Sequence, residues 1–429
     1  MINNDIFIPI LKDQVKPALG CTEPGAVALA VARARDILEK ETSNRNITKI
    51  DIIVNGNILK NGMGVGIPGT QERGLVFAAA LGLVVGKTAY GLEVLKDVDE
   101  ESTQKSLAIE KSSLIHVELD KNADKLFISV TAHTPSDKAT VTIKNSHTNI
   151  VFESINNRVI LDRDCKIVGN DLNSEIKHEI RKFDIDNLID FATNSSIEDL
   201  SFIQDGIDMN LRLADIGVSQ DMGMGYGRYL YGNITDVYSK AKAYTSGASE
   251  ARMSGYPLPV MSSAGSGNHG LVAIIPISII GKEKNFSDEN IIRAVTLSHL
   301  ITIYIKSYIG SLSPVCGCGV AAGVGCAAGL TYMEGGSPDQ IKRSITNMVA
   351  GVTGMICDGA KLGCSYKLTI SVDSAVDASN MALKNIFVPL DNGILGETAE
   401  LTIENLAKIS NLGMHDTDSV ILDVMLNNC

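Results

Sequence analysis

The sequence predicts an α+β fold, in which an N-terminal α+β domain with a small, mostly antiparallel sheet precedes a mostly α-helical domain rich in Gly and Ala. Strand patterns fall at residues 49–56 and 113–168, whereas helical periodicity dominates after about residue 170. A chain of 429 residues is also too long for one ordinary hydrophobic core. We therefore expect two domains, 1–175 and 176–429.

The first helical segment is interrupted before its second half. Residues 5–40 carry apolar side chains at helical spacing, but Gly20 breaks the pattern. Cys21 is therefore expected just before the second helix, with Thr22 as its N-cap and Glu23 in its first turn.

The rest of the first domain alternates between strands and glycine-rich connections. Residues 49–56 alternate and are β-branched, which predicts a strand. The glycine-rich segment 61–70 predicts a loop before an apolar helix. Between 113 and 168, four further strand patterns are separated by turn residues, which is typical of antiparallel strands.

Charge and hydropathy exclude several classes of partner. The net charge of -12 argues against a nucleic-acid surface, which needs an excess of Lys and Arg. The N-terminus lacks the features of a signal peptide, and the apolar stretch 271–281 is too short to cross ~30 Å of hydrocarbon. We expect a cytoplasmic protein that acts on a small molecule, without nucleic-acid or membrane partners. The apolar helices of the second half favour a homodimer.

Two glycine-rich loops are candidates for binding a small anion. The segments 61–69 and 265–270 interrupt apolar stretches, and their backbone N–H groups could cradle a carboxylate. In the second loop, Ser266, Asn268 and His269 are candidate substrate-binding residues, with simple turn chemistry as the alternative. His269 is also a candidate base.

The cysteines are candidate metal ligands rather than disulfide partners, because the cytoplasm keeps thiols reduced. Gly359 and Gly363 predict a loop that would bring the sulfurs of Cys357 and Cys364 toward one point. The eight cysteines are Cys21, Cys165, Cys316, Cys318, Cys326, Cys357, Cys364 and Cys429.

A third thiol comes from an expected helix start. Cys316 follows Pro314, and amide N–H groups at a helix start favour a thiolate. Cys318 would point elsewhere if the helix has begun. Cys316, Cys357 and Cys364 therefore form a consistent ligand set. Spacing alone leaves open the alternative of inert core cysteines.

Five segments together resemble one enzyme family. These are LGCTEPGAVALA (19–30), NGMGVGIPGT (61–70), AGSGNHGL (264–271), SPVCGCGVAAGVG (313–325) and GMICDGAKLGC (354–364). They are similar to segments of the L-cysteine desulfidases, relatives of the iron–sulfur L-serine dehydratase alpha chain. The resemblance implies a [4Fe-4S] cluster held by Cys316, Cys357 and Cys364, with Cys21 as the catalytic thiol. It also implies conversion of L-cysteine to pyruvate, ammonia and sulfide, with oxygen sensitivity.

This elimination requires removal of the Cα proton and stabilisation of the leaving group, without a redox change. An iron without a fourth protein ligand could act as a Lewis acid. Cys21 could act as the base if its pKa falls below about 8.5. Asp358 could hold the substrate ammonium or cap a turn, and Lys361 could neutralise the cluster or lie at the surface.

Two other activities remain open at this stage. L-serine dehydratase would use the same cluster with a hydroxyl leaving group, and a non-catalytic iron–sulfur or thiol redox sensor would need no turnover. A pyridoxal-phosphate lyase lacks a convincing Schiff-base lysine here. Cys429 is expected as an exposed terminus, or as a residue that reaches back to the iron, and Cys165 and Cys326 are expected in packing.

Overall fold

Alternating β-branched residues between positions 49 and 162 form a six-stranded sheet in the computed structural model. The structure describes residues 6–42, 44–123, 126–163, 178–310 and 312–427. Within these ranges the strands are β1 Pro17–Ala18, β2 Lys49–Val54, β3 Ile115–Leu119, β4 Phe127–His133, β5 Lys138–Lys144, β6 Ile150–Ile155, β7 Arg158–Asp162 and β8 Val260–Met261.

Helices occupy most of the rest of the described chain. They are α1 Phe7–Gln14, α2 Thr22–Thr42, α3 Gly56–Gly62, α4 Leu75–Val84, α5 Glu100–Lys111, α6 Ile185–Asn194, α7 Ser201–Ser219, α8 Tyr226–Tyr231, α9 Val237–Met253, α10 Gly267–Glu283, α11 Asp288–Ile309, α12 Val324–Met333, α13 Pro338–Val352, α14 Cys364–Leu383, α15 Ala399–Lys408 and α16 Thr417–Asn427. Short 3₁₀ turns lie at Thr88–Glu93 and Ile180–Lys182, and π-helical turns at Cys318–Gly323 and Ile409–Gly413.

The large sheet has the strand order β3-β2-β4-β5-β6-β7. Only the pairing of β2 with β3 is parallel, so the predicted mostly antiparallel sheet is confirmed. Buried residues alternate with partly exposed ones along β4, because one face of the sheet packs on α2. Together with the helical second half, this confirms the predicted α+β fold.

Two buried clusters stabilise the protein. One lies between α2, α4 and the sheet, and the other joins most helices after residue 180. Each end of the chain packs on the opposite half of the protein. Phe7 of α1 is buried in the helical cluster, and α16 packs on α3. Residues 164–177 lie outside the described ranges, so the division at residue 175 stays a prediction.

A second, two-stranded sheet positions the functional site. β1 pairs antiparallel with β8, with Pro17 opposite Met261. β1 leads directly to Cys21 at the start of α2, and β8 leads to the loop before α10. The pairing therefore holds two sequence motifs side by side that are more than 200 residues apart. No helix in the described ranges has both the length and the apolar character needed to cross a bilayer.

Candidate active site

A buried arginine joins the two motifs that the small sheet brings together. Arg252, in the last turn of α9, donates from Nη2 to the carbonyl oxygen of Gly20 at 2.7 Å. Its Nη1 donates to Asn268 Oδ1 at 3.1 Å. The Asn268 amide group also faces the sulfur of Met253, at 3.7 Å. Asn268, predicted to bind substrate, therefore already has two protein partners.

The glycine-rich loop docks by its backbone on the end of α9. Gly66 N donates to the Met253 carbonyl and Gly69 N to the Gly255 carbonyl, each at 2.9 Å. A Cβ on Gly66 would lie 2.5 Å from the backbone of Ser254, so only glycine permits this approach. These two N–H groups are used in packing the loop on the end of α9. The predicted role of the loop in binding an anion stays a prediction.

Cys21 lies before α2, as predicted, and its thiol contacts a carboxylate. Cys21 Sγ lies 2.9 Å from Glu23 Oε2. A carboxylate only accepts hydrogen bonds, so the thiol is the donor. Burial raises the pKa of Cys21 well above its usual value, and the charge of Glu23 raises it further, whereas Arg252 lowers it. The structure thus opposes the low pKa that a base role for Cys21 requires.

Glu23 is itself held in the charged form. Burial alone would raise its pKa, but its partners outweigh burial and keep the pKa of Glu23 well below its usual value. The partners are the His147 imidazole, with Nε2 at 3.9 Å from Oε1, the Cys21 thiol, and the amide of Asn61 at 2.8 Å. Glu23 is 5% exposed, so these contacts act in a largely water-free environment.

Two chain segments bring the predicted ligand cysteines together. Val315 and Ile356 form an antiparallel bridge. Around it, Cys316 N donates to the Met355 carbonyl and Cys357 N to the Pro314 carbonyl, each at 2.7 Å. Cys364 follows at the start of α14. The charges of Cys316, Cys357 and Cys364 influence one another's pKa, which places these thiols near one point.

Cys318 also belongs to this group, contrary to the expectation that it would point elsewhere. That expectation assumed an α-helix, in which residues two apart point in different directions. Cys316 instead lies before the helical turn Cys318–Gly323, so helical spacing does not relate the two side chains. The Cys318 thiol hydrogen-bonds Cys316 and lowers the pKa of Cys316 to about 6, assisted by backbone N–H groups and Lys367. The same contact and burial raise the pKa of Cys318, so Cys316 is the better thiolate.

Three lysines place positive charge around the thiols. Lys60, only 2% exposed, donates to the Cys357 carbonyl at 3.0 Å and pairs with Asp418. Lys361 and Lys367 both pair with Asp358.

Asp358 is therefore neutralised by protein groups. Although burial acts to raise its pKa, the two lysines hold the pKa of Asp358 below its usual value. Its predicted role in binding the substrate ammonium stays a prediction. Such a role would compete with Lys361 and Lys367.

The chemistry of this donor set fits an iron–sulfur cluster. Four thiols lie close enough for their charges to act on one another, the pKa of one of them is lowered, and lysines offset the negative charge that thiolate ligands bring. In the described ranges, no three His, Cys, Asp or Glu side chains already stand in an arrangement that could hold a metal ion. Cys326 is fully buried away from this chemistry, with its pKa raised by burial, while Cys165 and Cys429 lie outside the described residues.

His269 lies against the segment that carries Cys316. Its Nδ1 donates to the Ser263 carbonyl at 3.2 Å. A Cβ on Gly317 would lie 2.3 Å from Nε2, so this face of the ring meets the residue after Cys316. Ser266 begins α10 and exchanges backbone hydrogen bonds with Ser263. The structure therefore brings His269 to the site.

Sequence reasoning missed several residues of this site. They are Asn61, His147, Arg252 and Lys367, together with Glu23 in its role beside Cys21 and Lys60 beside Cys357. Lys60 and Asn61 are adjacent on α3 and contact the two sides of the site, at Cys357 and Glu23. One local signal existed for Glu23 and Asn61. Both lie inside the motif segments, and a charged or amide side chain that is buried there needs a polar partner.

Comparisons with known proteins show which family the chain matches. The model of the family described as "Serine dehydratase alpha chain" matches residues 89–423. A UPF0597 protein of Caldanaerobacter subterraneus is 52% identical over 98% of this chain and 98% of its own length. One of Clostridium tetani is 52% identical over 100% of both chains, and one of Clostridioides difficile is 41% identical over 97% of this chain and 98% of its own.

Proposed function

The chain belongs to the serine dehydratase alpha chain family, and from this premise we propose that it is a lyase of amino-acid catabolism. The reaction we propose is a non-redox β-elimination that converts L-cysteine to pyruvate, ammonia and sulfide. The backbone bridge that brings Cys316 beside Cys357, with Cys364 near enough to be affected by their charges, supports this proposal.

We further propose that these three thiols hold a [4Fe-4S] cluster. When bound, the cluster supplies a Lewis acid for the leaving group of the substrate. Lysine side chains of the protein would offset the negative charge of the thiolates. Lys60 lies at Cys357 and Lys367 acts on Cys316, and both favour the thiolate form.

Two side chains are candidates to move protons. His269 has Nε2 on the side of the segment that carries Cys316, so it is placed to act on the Cα proton of a substrate bound there. Cys21 can accept that proton only after losing its own, and Glu23 opposes this loss. The aminoacrylate that leaves the site hydrolyses in water to pyruvate and ammonia.

L-Serine is the second candidate substrate, favoured by the description of the matching family. The elimination is the same, with hydroxide in place of sulfide as the leaving group. Both substrates share the α-amino acid portion and differ only at the β-position.

Anaerobic reconstitution with iron and sulfide tests the proposal. The reconstituted protein is incubated with L-cysteine or L-serine, and pyruvate and released sulfide are measured, with metal-free protein as the control. We expect pyruvate from L-cysteine in step with sulfide and none from the metal-free chain. Faster pyruvate release from L-serine would assign the second activity, and release from neither would refute a lyase.

A further inference from the structure

Arg252 is a buried cation without an anionic partner in the described part of the chain. Its side chain is 5% exposed, and within the described ranges its guanidinium donates hydrogen bonds to two uncharged acceptors, the Gly20 carbonyl and the Asn268 amide oxygen. The Nε atom is buried and has no hydrogen-bond partner among the described residues.

An unpaired buried charge is costly, so proteins pair such groups or bind a ligand to them. The carbonyl groups at the end of α9 offer Arg252 only the partial negative charge of a helix terminus. Arg252 acts on the Cys21 thiol at the start of α2, whose pKa it lowers, and it forms no ion pair with any described residue. Arg252 therefore retains unused capacity to bind an anion.

The start of α10 meets Arg252 directly. A Cβ on Gly267 would lie 2.4 Å from Arg252 Nε and 2.7 Å from Cζ. Only glycine therefore lets the guanidinium approach the start of α10 this closely. α10 has 17 residues, and no side chain caps it at Ser266. The first N–H groups of a helix have no partner within the helix and attract negative charge.

We propose that Arg252 and the N-terminus of α10 together bind the α-carboxylate of the amino-acid substrate, an inference that rests on the proposed function. The guanidinium supplies the charge and Nε a donor, while the helix start supplies backbone N–H groups. The carboxylate is then held between Gly20, beside Cys21, and the helix that carries His269. The site accepts α-amino acids with a free carboxylate and rejects their amides.

Binding of L-alanine and L-alaninamide to the anaerobically reconstituted protein tests this. L-Alanine has the carboxylate but no leaving group, so its binding is independent of turnover. Calorimetry should show binding of L-alanine about tenfold or more tighter than of the amide. Arg252→Gln should lose this preference, whereas Arg212→Gln, at an exposed position of α7, should keep it.

A second variant and a stability measurement separate binding from folding. Gly267→Ala keeps the charge but places a Cβ 2.4 Å from the position of Nε, so it displaces the guanidinium from the helix start and should also abolish the preference for L-alanine. Because Arg252→Gln also loses the hydrogen bonds to Gly20 and Asn268, its melting temperature is measured and binding is compared well below it. Equal binding of both probes by the wild type, or a preference that survives in Arg252→Gln, would overturn the proposal. Intact, Arg252-dependent L-alanine binding without any turnover would refute the lyase activity alone.

Discussion

Cys21 and Cys316 both stand at the start of helical segments, yet their environments push the two thiols in opposite directions. The pKa of Cys316 is lowered to about 6 by hydrogen bonds from Cys318 and the backbone and by Lys367. The pKa of Cys21 is raised by burial and by the Glu23 carboxylate. A helix start alone therefore does not produce a thiolate, and the nearest charged or donor group decides its state.

The contrast separates two groups of residues in the candidate site, which we call its two walls. The wall of Cys316, Cys357 and Cys364 is surrounded by donors and lysines, as metal ligands require. The wall of Cys21 contains a carboxylate that keeps the thiol protonated. Helix α3 joins the walls, because Lys60 contacts one and Asn61 the other.

The largest expected effect is the loss of the cluster after Cys357→Ser. Bound iron should fall from about four atoms per chain to almost none, because one of three thiolate ligands is gone. Elimination activity should fall with it. Iron, sulfide and visible absorbance after anaerobic reconstitution measure the change. Cys326→Ala, at a buried cysteine with a raised pKa, is the matched control and should retain its iron.

Cys318→Ser sharpens the same comparison. Loss of the Cys318 thiol weakens the hydrogen bond that lowers the pKa of Cys316, but it leaves Cys316 in place. We expect bound iron in this variant, whereas Cys316→Ser should lose it. The reverse pattern would make Cys318 the ligand.

The next effect concerns the ion pair between Lys60, which contacts Cys357, and Asp418 in α16. Asp418→Asn removes the charge partner of Lys60, which is 2% exposed. Because a buried ammonium is left without its anion, the free energy of unfolding should fall by about 1–3 kcal/mol. Denaturant unfolding measures it.

Two variants test whether this loss comes from the buried charge. Asp423→Asn, on the same helix, breaks an exposed pair with Lys121 and should change stability by less than about 0.5 kcal/mol. The double variant Lys60→Met with Asp418→Asn should recover part of the loss. A single Asp418→Asn variant as stable as the wild type would contradict this account.

The fold was predictable wherever the pattern is local. The segment 49–56 contains β2, and the alternation at 114–120 contains β3, because strand periodicity needs no distant partner. The strand β6, at Ile150–Ile155, was not predicted, because turn residues flank it on both sides. β1 and β8 have two residues each, too few for a periodic signal, although their pairing positions the site. α3 begins at Gly56, within the predicted strand, and ends in the predicted loop.

The site was predictable where one motif carries the chemistry. The cysteines were found because they lie in motif segments that resemble a known family, whereas their spacing alone left inert core cysteines open. Arg252 was not, because its partner Gly20 is 232 residues away. Lys60 contacts Cys357 and Asp418 across 297 and 358 residues. Such contacts arise from tertiary packing and leave no periodic trace in the sequence.

Removing the carboxylate at the other wall gives a smaller effect. Glu23→Gln should lower the pKa of Cys21, because the carboxylate raises that pKa through repulsion of the thiolate. Alkylation of Cys21 by iodoacetamide, followed by mass spectrometry, should therefore begin at lower pH. A shift of one pKa unit makes alkylation near neutral pH roughly tenfold faster. An unchanged profile would show that burial alone controls this thiol.

The smallest effect should come from His147→Gln, which tests what keeps Glu23 charged. His147 Nε2 lies 3.9 Å from Glu23 Oε1, too far for a hydrogen bond, whereas Asn61 and Cys21 contact the carboxylate directly. Without the imidazole the pKa of Glu23 should rise, but the carboxylate should stay ionised at neutral pH. The alkylation profile of Cys21 should then match the wild type. A shift as large as that of Glu23→Gln would mean that the imidazole holds the charge of Glu23, and through it the proton of Cys21.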